Sequence, residues 1–408
     1  MAGIDAYNEA LKSGQYQKPS GLLGKYDNVR RLWEDEELGL YLRPYLERLV
    51  ARKEEGGGRL RVLDLGCGSG DGLEFITSIN DSKSLISEHN TKVIEPDMLG
   101  FYKGIDINEG LLRQAQSIYG GRANMTFVQS DFNDHDFFSE EPYDLYLANY
   151  GTLSHNTDQQ TVELLSNIAR HSKDGALIVI DWLGRFSYEW QTLWTKDFEH
   201  NQWMDYAISY IYSGGRGKQQ LTCFPLRIMG REEVLQVYRQ AKKKVGGIIT
   251  LWKLADRSSF VGRHMDTAQY NPHCQPLRRV VNSLFEPKLC TNLDEALVHY
   301  VPRDGFAEVN AYYQGLADCW NYLVAYTKTL LEESKPPEAL PKMPLPLRRS
   351  LSPMRGVVRA AARMKVGNPR ASLVEPQLGY CLRELETALQ QGLGCGHGIV
   401  AILEIEKS

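Results

Sequence analysis

The stretch RVLDLGCGSGDGLEF, Arg61 to Phe75, constrains this chain more than any other. An apolar run with one acid meets glycines at alternate positions, Gly66, Gly68 and Gly70, and then turns helical in pattern. A strand, a glycine turn and a helix in that order bring a ligand against bare backbone, with helix N–H groups behind it. Downstream, apolar runs alternate with amphipathic ones. RLRVLDLG, FYKGIDI, NMTFVQSD, YDLYLANY and GALIVIDWLG read as strands, and DGLEFITSI, EGLLRQAQSIYG and TDQQTVELLSNIARHS as helices. Apolar strands alternating with helices predict a parallel sheet covered on both faces.

Length and charge narrow the field. The chain has 408 residues, enough for two or three domains or one domain with large insertions. A net charge of -4 gives no pull toward nucleic acid or an anionic membrane, and no apolar run approaches the roughly 20 residues of a membrane span. Residues 1–21 are polar and mixed in charge, unlike a secretory signal. The cysteines number seven and include no C-x-x-C pair, so neither a disulfide framework nor a four-thiolate zinc site is indicated. A reducing cytoplasm is the expected home.

The glycine loop excludes two ligands by spacing. A dinucleotide fingerprint starting at Gly66 needs glycine where Asp71 stands, and one starting at Gly68 needs it at Leu73. A phosphate-binding loop needs a Gly-Lys-Ser/Thr sequence that is missing here. The sequence has instead an acid two residues before the first glycine, D-L-G-C-G-S-G, which resembles motif I of the class I S-adenosylmethionine (SAM)-dependent methyltransferases. The resemblance spans residues 59–184, 246–262 and 398–406. It implies a Rossmann-like, mostly parallel sheet of seven strands, with GIITLWKLAD and HGIVAILEIE as the last two. It also implies SAM as cofactor. Asp64 would meet the SAM ammonium, and Gly66, Cys67, Gly68 and Gly70 would shape the methionine slot. Asp106 with Ile107 would take the ribose, Asp131 with Phe132 the adenine, and Asn149 would lie at the end of the fourth strand under the sulfonium. Tyr26 is either a further wall of that pocket or a helix-packing tyrosine. The connection from Gly70 to Asp106 is longer than a tight unit needs, so residues 80–100 are expected as a surface excursion.

The expected organisation is an N-terminal helical segment (1–58), a SAM-binding core (59–184), an aromatic-rich insertion (185–229), a core helix and sixth strand (230–262), a large, mainly helical cap (263–378), and a final helix and last strand (379–408). The cap is thus inserted between the last two strands, and its two ends must leave and re-enter the sheet close together. A cap of that size suits a small-molecule acceptor, methylated on a hydroxyl, amine or activated carbon, better than a protein surface, and the fourth strand's lack of an Asn-Pro-Pro-Tyr signature, together with the acidic pI, argues against a nucleic acid. The alternatives are a non-catalytic SAM-binding regulatory subunit and a methyltransferase acting on a peptide or protein. His155, His264 and Asp181 are the candidate catalytic residues; each is equally readable as a structural or capping group. His264, Asp266, His273 and Cys274 lie close in sequence, but their spacing matches no established metal site, and no metal is assigned. Arg355, Arg359 and Arg363 share a predicted helical face. That face is either solvated or a landing strip for a carboxylate or phosphate on the acceptor.

Overall fold

A computed structural model describes residues 2–14, 16, 24–83, 91–134, 136–212, 222–365 and 367–407. Five parallel strands come first: β1 (Leu60–Leu65), β2 (Leu99–Asp106), β3 (Met125–Gln129), β4 (Leu145–Ala148) and β5 (Leu177–Gly184). Their order in the sheet is β3-β2-β1-β4-β5, so the chain reverses direction across the sheet between β1 and β4. A crevice opens at such a switch point above the carboxyl ends of the strands. β9 (Gly398–Ile405) then runs antiparallel to β5 and also pairs with β8 (Ile249–Arg257). These seven strands are the expected sheet. The aliphatic residues of both its faces are buried, as a sheet covered on each side requires.

Helices α2 (Asp35–Glu55) and α3 (Asp71–Ser78) pack on one face, and α5 (Asp158–His171) and α6 (Arg231–Lys244) on the other. Helix α4 (Glu109–Tyr119) joins β2 to β3, with Asn108 capping Leu111 N–H at 3.0 Å. Between β8 and β9 lie α7 (Leu277–Leu284), α8 (Ala307–Leu331), α9 (Leu345–Ala361) and α10 (Glu375–Leu389). They share an apolar core of their own built around Trp320, Leu323 and Leu382. Arg257, the last residue of β8, pairs with Gly398, the first of β9, so the insertion leaves and returns at one register position. Loop closure over so long an excursion costs little extra, because the entropy grows with the logarithm of length.

The structure differs from the expectation in three places. Residues 185–229 contain two strands, β6 (Trp203–Ala207) and β7 (Cys223–Met229), paired antiparallel. β7 meets β5 at Leu183 and Gly184, which splits the sheet at that corner. Pro225 argues against a strand in the sequence, yet it is tolerated on this branch at the edge of the sheet. The glycine-rich SGGRGKQQ, 213–220, lies outside the described residues. Second, the N-terminal segment holds a separate helix, α1 (Ala2–Lys12), which packs on β7 and α4. Third, the helical run before the core begins only after Asp27, through a π-helical turn at Arg30–Glu34 that leads into α2.

Candidate active site

A cavity of about 570 Å³ lies over the carboxyl ends of β1, β2, β4 and β5. Nine of the eleven expected cofactor residues line it: Asp64, Gly66, Cys67, Gly68, Asp106, Ile107, Asp131, Phe132 and Asn149. Tyr26 and Gly70 stand behind this lining. The Tyr26 hydroxyl donates to Asp71 Oδ1 at 2.8 Å, and Gly70 caps α3 in the left-handed conformation.

The loop after β1 is shaped by contacts that a side chain would break. A Cβ on Gly66 would lie 2.6 Å from Thr152 Cγ2, across the β1–β4 switch. Gly68, with φ of +54°, turns its N–H to Asp106 Oδ2 at 2.9 Å, and Asn108 N–H reaches the other carboxylate oxygen at 2.8 Å. Asp106 is thereby oriented at the rim of the loop. Burial raises its pKa, against the hydrogen bonds that favour the anion. Asp64 is more deeply set: burial pushes it up to about 7, although the Tyr102 hydroxyl donates to it at 2.5 Å. A Cβ on Gly72 would fall on the Asp64 carboxylate itself, which makes this fourth glycine part of the site. Asp131 accepts from Asn133 N–H and Nδ2, 2.8 and 3.0 Å away, and leaves its other oxygen clear of those bonds.

Asn149 decides whether these residues fit a ligand. Both of its amide atoms are buried and neither has a hydrogen-bond partner. A buried amide rarely stays unsatisfied, and this one sits in the cavity wall at the switch point. Beside it, Tyr150 adopts φ of +62°, a conformation a tyrosine seldom takes outside a functional site. Three carboxylates at the ends of successive strands, a stripped backbone and an orphaned amide fit SAM, with its ammonium, ribose diol and adenine amine.

The candidate catalytic residues separate. His155 lines the cavity, where its ring stacks on Phe224 with Tyr7 Oη 3.5 Å from Nε2. Asp181 is absent from the lining. It is buried behind the wall, paired with Arg257 at 3.0 Å and accepting from Gly151 N–H. His264 also stands outside the lining, fully buried among Tyr206, Tyr210, Tyr270 and Trp190 and bonded to Ser209 Oγ at 3.0 Å. Among the described residues no cluster of three or more His, Cys, Asp or Glu side chains is arranged to hold a metal ion. Arg355 and Arg359 are exposed on α9 and Arg363 lies just beyond its end; none of them reaches the cavity.

Residues not singled out in the sequence complete the wall. Lys25 pairs with Asp71 at 2.6 Å, and Arg30 lies 3.3 Å above the Tyr150 ring. Arg257 and Arg263 line the cavity and share Glu34 with Arg30 and Arg278. Burial would raise Glu34, but the four guanidinium groups hold it well below the usual carboxylate range. Tyr7 from α1 and Tyr206 and Phe224 from the hairpin close the cavity from above, and His397 enters from the start of β9. No local motif marks these groups, because five separate segments bring them together.

Residues 62–175 match the family model described as a methyltransferase domain. No curated protein matches the sequence at a significant level. Among solved structures, a SAM-dependent methyltransferase from Methanosarcina mazei is 15% identical, with 48% of this chain and 82% of that one covered and a TM-score of 0.34. One from Clostridium acetobutylicum is 12% identical over 52% and 83% of the two chains, at 0.31. SAM-bound CalS10 from Micromonospora echinaspora, an amino pentose methyltransferase, is 12% identical over 61% and 90%, at 0.34. At such scores the likeness says nothing of acceptor or reaction. Residues 62–175 thus carry a methyltransferase domain.

Proposed function

We propose that this protein transfers the methyl group of SAM to a small molecule held in the cavity beneath α1 and the β6–β7 hairpin. The observation that carries the reading is the lining of that cavity by the chain's own segments outside the sheet. Ile4 and Tyr7 of α1, Tyr206 of β6 and Phe224 and Leu226 of β7 lie across it from the strand ends. Aromatic and aliphatic groups set across from the strand ends shield a small acceptor from water and position it. Bound SAM supplies an electrophilic methyl carbon. The chain's own part is to hold it: Asp106 and Ile107 at the ribose, Asp131 and Phe132 at the adenine, Asp64, Gly66, Cys67, Gly68 and Asn149 along the methionine end. Tyr26 and Gly70 act one step back, through Asp71 and the start of α3.

Positioning of this kind can supply about 7–11 kcal/mol of barrier lowering in favourable cases. No described helix is long and apolar enough to cross a membrane, and all seven cysteines are free, which supports a reducing compartment such as the cytoplasm. The reading is tested by calorimetry with SAM, S-adenosylhomocysteine (SAH) and NAD. SAM and SAH should bind and NAD should not compete. Gly68→Val should abolish binding, since a branched residue is strained at positive φ and would fill the slot. Binding of NAD without SAM refutes the reading.

A further inference from the structure

Glu189 and His397 belong to no sequence motif, yet three segments converge to hold them. Glu189 is fully buried just beyond β5. Its carboxylate accepts from His397 Nδ1 at 2.7 Å, from Ser187 Oγ at 3.1 Å and from the backbone N–H of His264. A Cβ on Gly262 would fall on that carboxylate, so the 258–264 segment is packed directly against it. His397 is fixed by its own backbone: its N–H donates to Ser258 O at 3.0 Å and its carbonyl accepts from Gly184 N–H at 3.1 Å. The imidazole therefore stands at the carboxyl end of β5, in the cavity wall with Leu183 and Gly151. With Nδ1 tied to the carboxylate, Nε2 is the ring edge left for a ligand.

Resting on the methyltransferase reading above, we infer that His397 is the proton acceptor of the reaction, with Glu189 as its positioning carboxylate, and that the acceptor is a hydroxyl compound of phenol type. A base with a buried carboxylate partner is needed where the nucleophile must lose its proton as it attacks. A neutral amine makes no such demand at that moment. The acceptor oxygen forms its bond to the methyl carbon as the carbon–sulfur bond breaks and the electron pair stays on sulfur. The hydroxyl proton passes to Nε2 and later to water, so that the products are an aryl methyl ether, SAH and one proton. The aromatic wall, with Tyr7, Tyr16, Tyr206, Tyr210 and Phe224, suits a ring more than a sugar.

The charges around the pair favour this assignment over the other histidines. Burial alone would raise Glu189, but His397 and His264 outweigh it and hold the carboxyl at about 2. His264, its ring centroid 6.2 Å from that of His397, is driven by burial down to about 3 and stays neutral. Arg257, packed against Gly398, is matched by Asp181 at 3.0 Å. Glu189 is thus the anion that His397 faces most closely, and a proton gained at Nε2 is met by it. Among the described residues His155 has no carboxylate partner, and it stacks on Phe224 instead.

The test uses the full chain saturated with SAH and 4-nitrophenol as the probe, whose phenol and phenolate absorb at different wavelengths. In the wild type the phenolate-to-phenol ratio of the bound ring should exceed that of the free compound in the same buffer by roughly tenfold or more, one pKa unit. His397→Gln should bind SAH and probe within about threefold of wild type and return the ratio to its free-solution value. Glu189→Gln should lower the ratio with SAH affinity retained, a spectroscopic change that a purely structural role would not produce. If Glu189→Gln does not fold, His397→Gln alone decides. A wild-type ratio equal to that of the free probe, an unchanged ratio in His397→Gln, or no probe binding to the SAH-loaded protein overturns the assignment. Loss of SAH binding in the wild type, recorded by calorimetry, overturns the cofactor reading and this inference with it.

Discussion

Glu34→Gln is the perturbation with the largest consequence. The Glu34 carboxylate has no exposed surface and faces Arg278 at 2.6 Å, Arg263 at 3.0 Å, Arg257 at 3.5 Å and Arg30 at 4.0 Å. Arg278 is shared with Asp27, Arg257 with Asp181 and Arg30 with Asp35, so the four guanidinium groups are matched by four carboxylates only while Glu34 is ionised. The amide keeps the shape of the side chain and removes its charge. Breaking a buried pair from one side costs about 3–5 kcal/mol, because the partner is left uncompensated, and several cations around one anion place this variant at the upper end. A loss near 5 kcal/mol is a third or more of a typical domain's stability, roughly 5–15 kcal/mol. The matched control is Glu404→Gln. Glu404 is also buried, but its partners Arg48 and Arg52 are 51% and 45% exposed and stay hydrated when its charge is removed, so its loss should be the smaller of the two. Urea unfolding followed by tryptophan fluorescence compares the two. The sign with pH is also fixed. Glu34 is depressed in the fold, so its stabilisation is present above the ordinary value of 4.5 and is lost as pH falls below it. A Glu34→Gln loss no greater than that of Glu404→Gln, or an unchanged acid limb, refutes the argument.

Gly72→Ala should weaken SAM binding by roughly tenfold or more and cost about 1–3 kcal/mol, because the new Cβ displaces the Asp64 carboxylate; calorimetry and thermal melts read the two effects. Asp64 titrates near 7 in the fold against 3.8 in an ordinary chain, so its contribution is complete below 3.8 and disappears as pH rises to about 7. The melting temperature of the SAM-free protein should fall relative to that of Asp64→Asn across that window. His264→Ala should lose about 2–5 kcal/mol through the cavity it leaves in its aromatic cage, with SAM affinity nearly unchanged. A full loss of turnover at wild-type stability would instead give His264 a direct part in the chemistry.

The core of the fold and the acids and glycines at its strand ends were legible in the chain, because both depend on short-range pattern. Glycines at 66, 68 and 70, acids at 64, 106 and 131 and apolar runs between them carry a strand–turn–helix code that each unit expresses locally. The parallel strands β1 to β5 then bring the acids to one edge with no further instruction. Gly72 was readable in principle as a fourth glycine, but its reason, the Asp64 carboxylate where its Cβ would stand, exists only after folding. The β6–β7 hairpin and α1 were hidden for a different reason. Short strands holding Pro225 and an amphipathic helix of 11 residues are weak signals alone and are stabilised by the tertiary surface they cover.

Tertiary structure alone decided the proton chemistry and the charge balance. His155, His264 and His397 are indistinguishable as letters; burial, stacking on Phe224 and the Glu189 carboxylate make them different groups. Glu34 sits in an unremarkable helical run, RRLWEDEEL, and its four arginine neighbours come from three places in the chain. Electrostatic energy depends on distance and on exclusion of water, and neither is a property of sequence spacing once the partners are hundreds of residues apart.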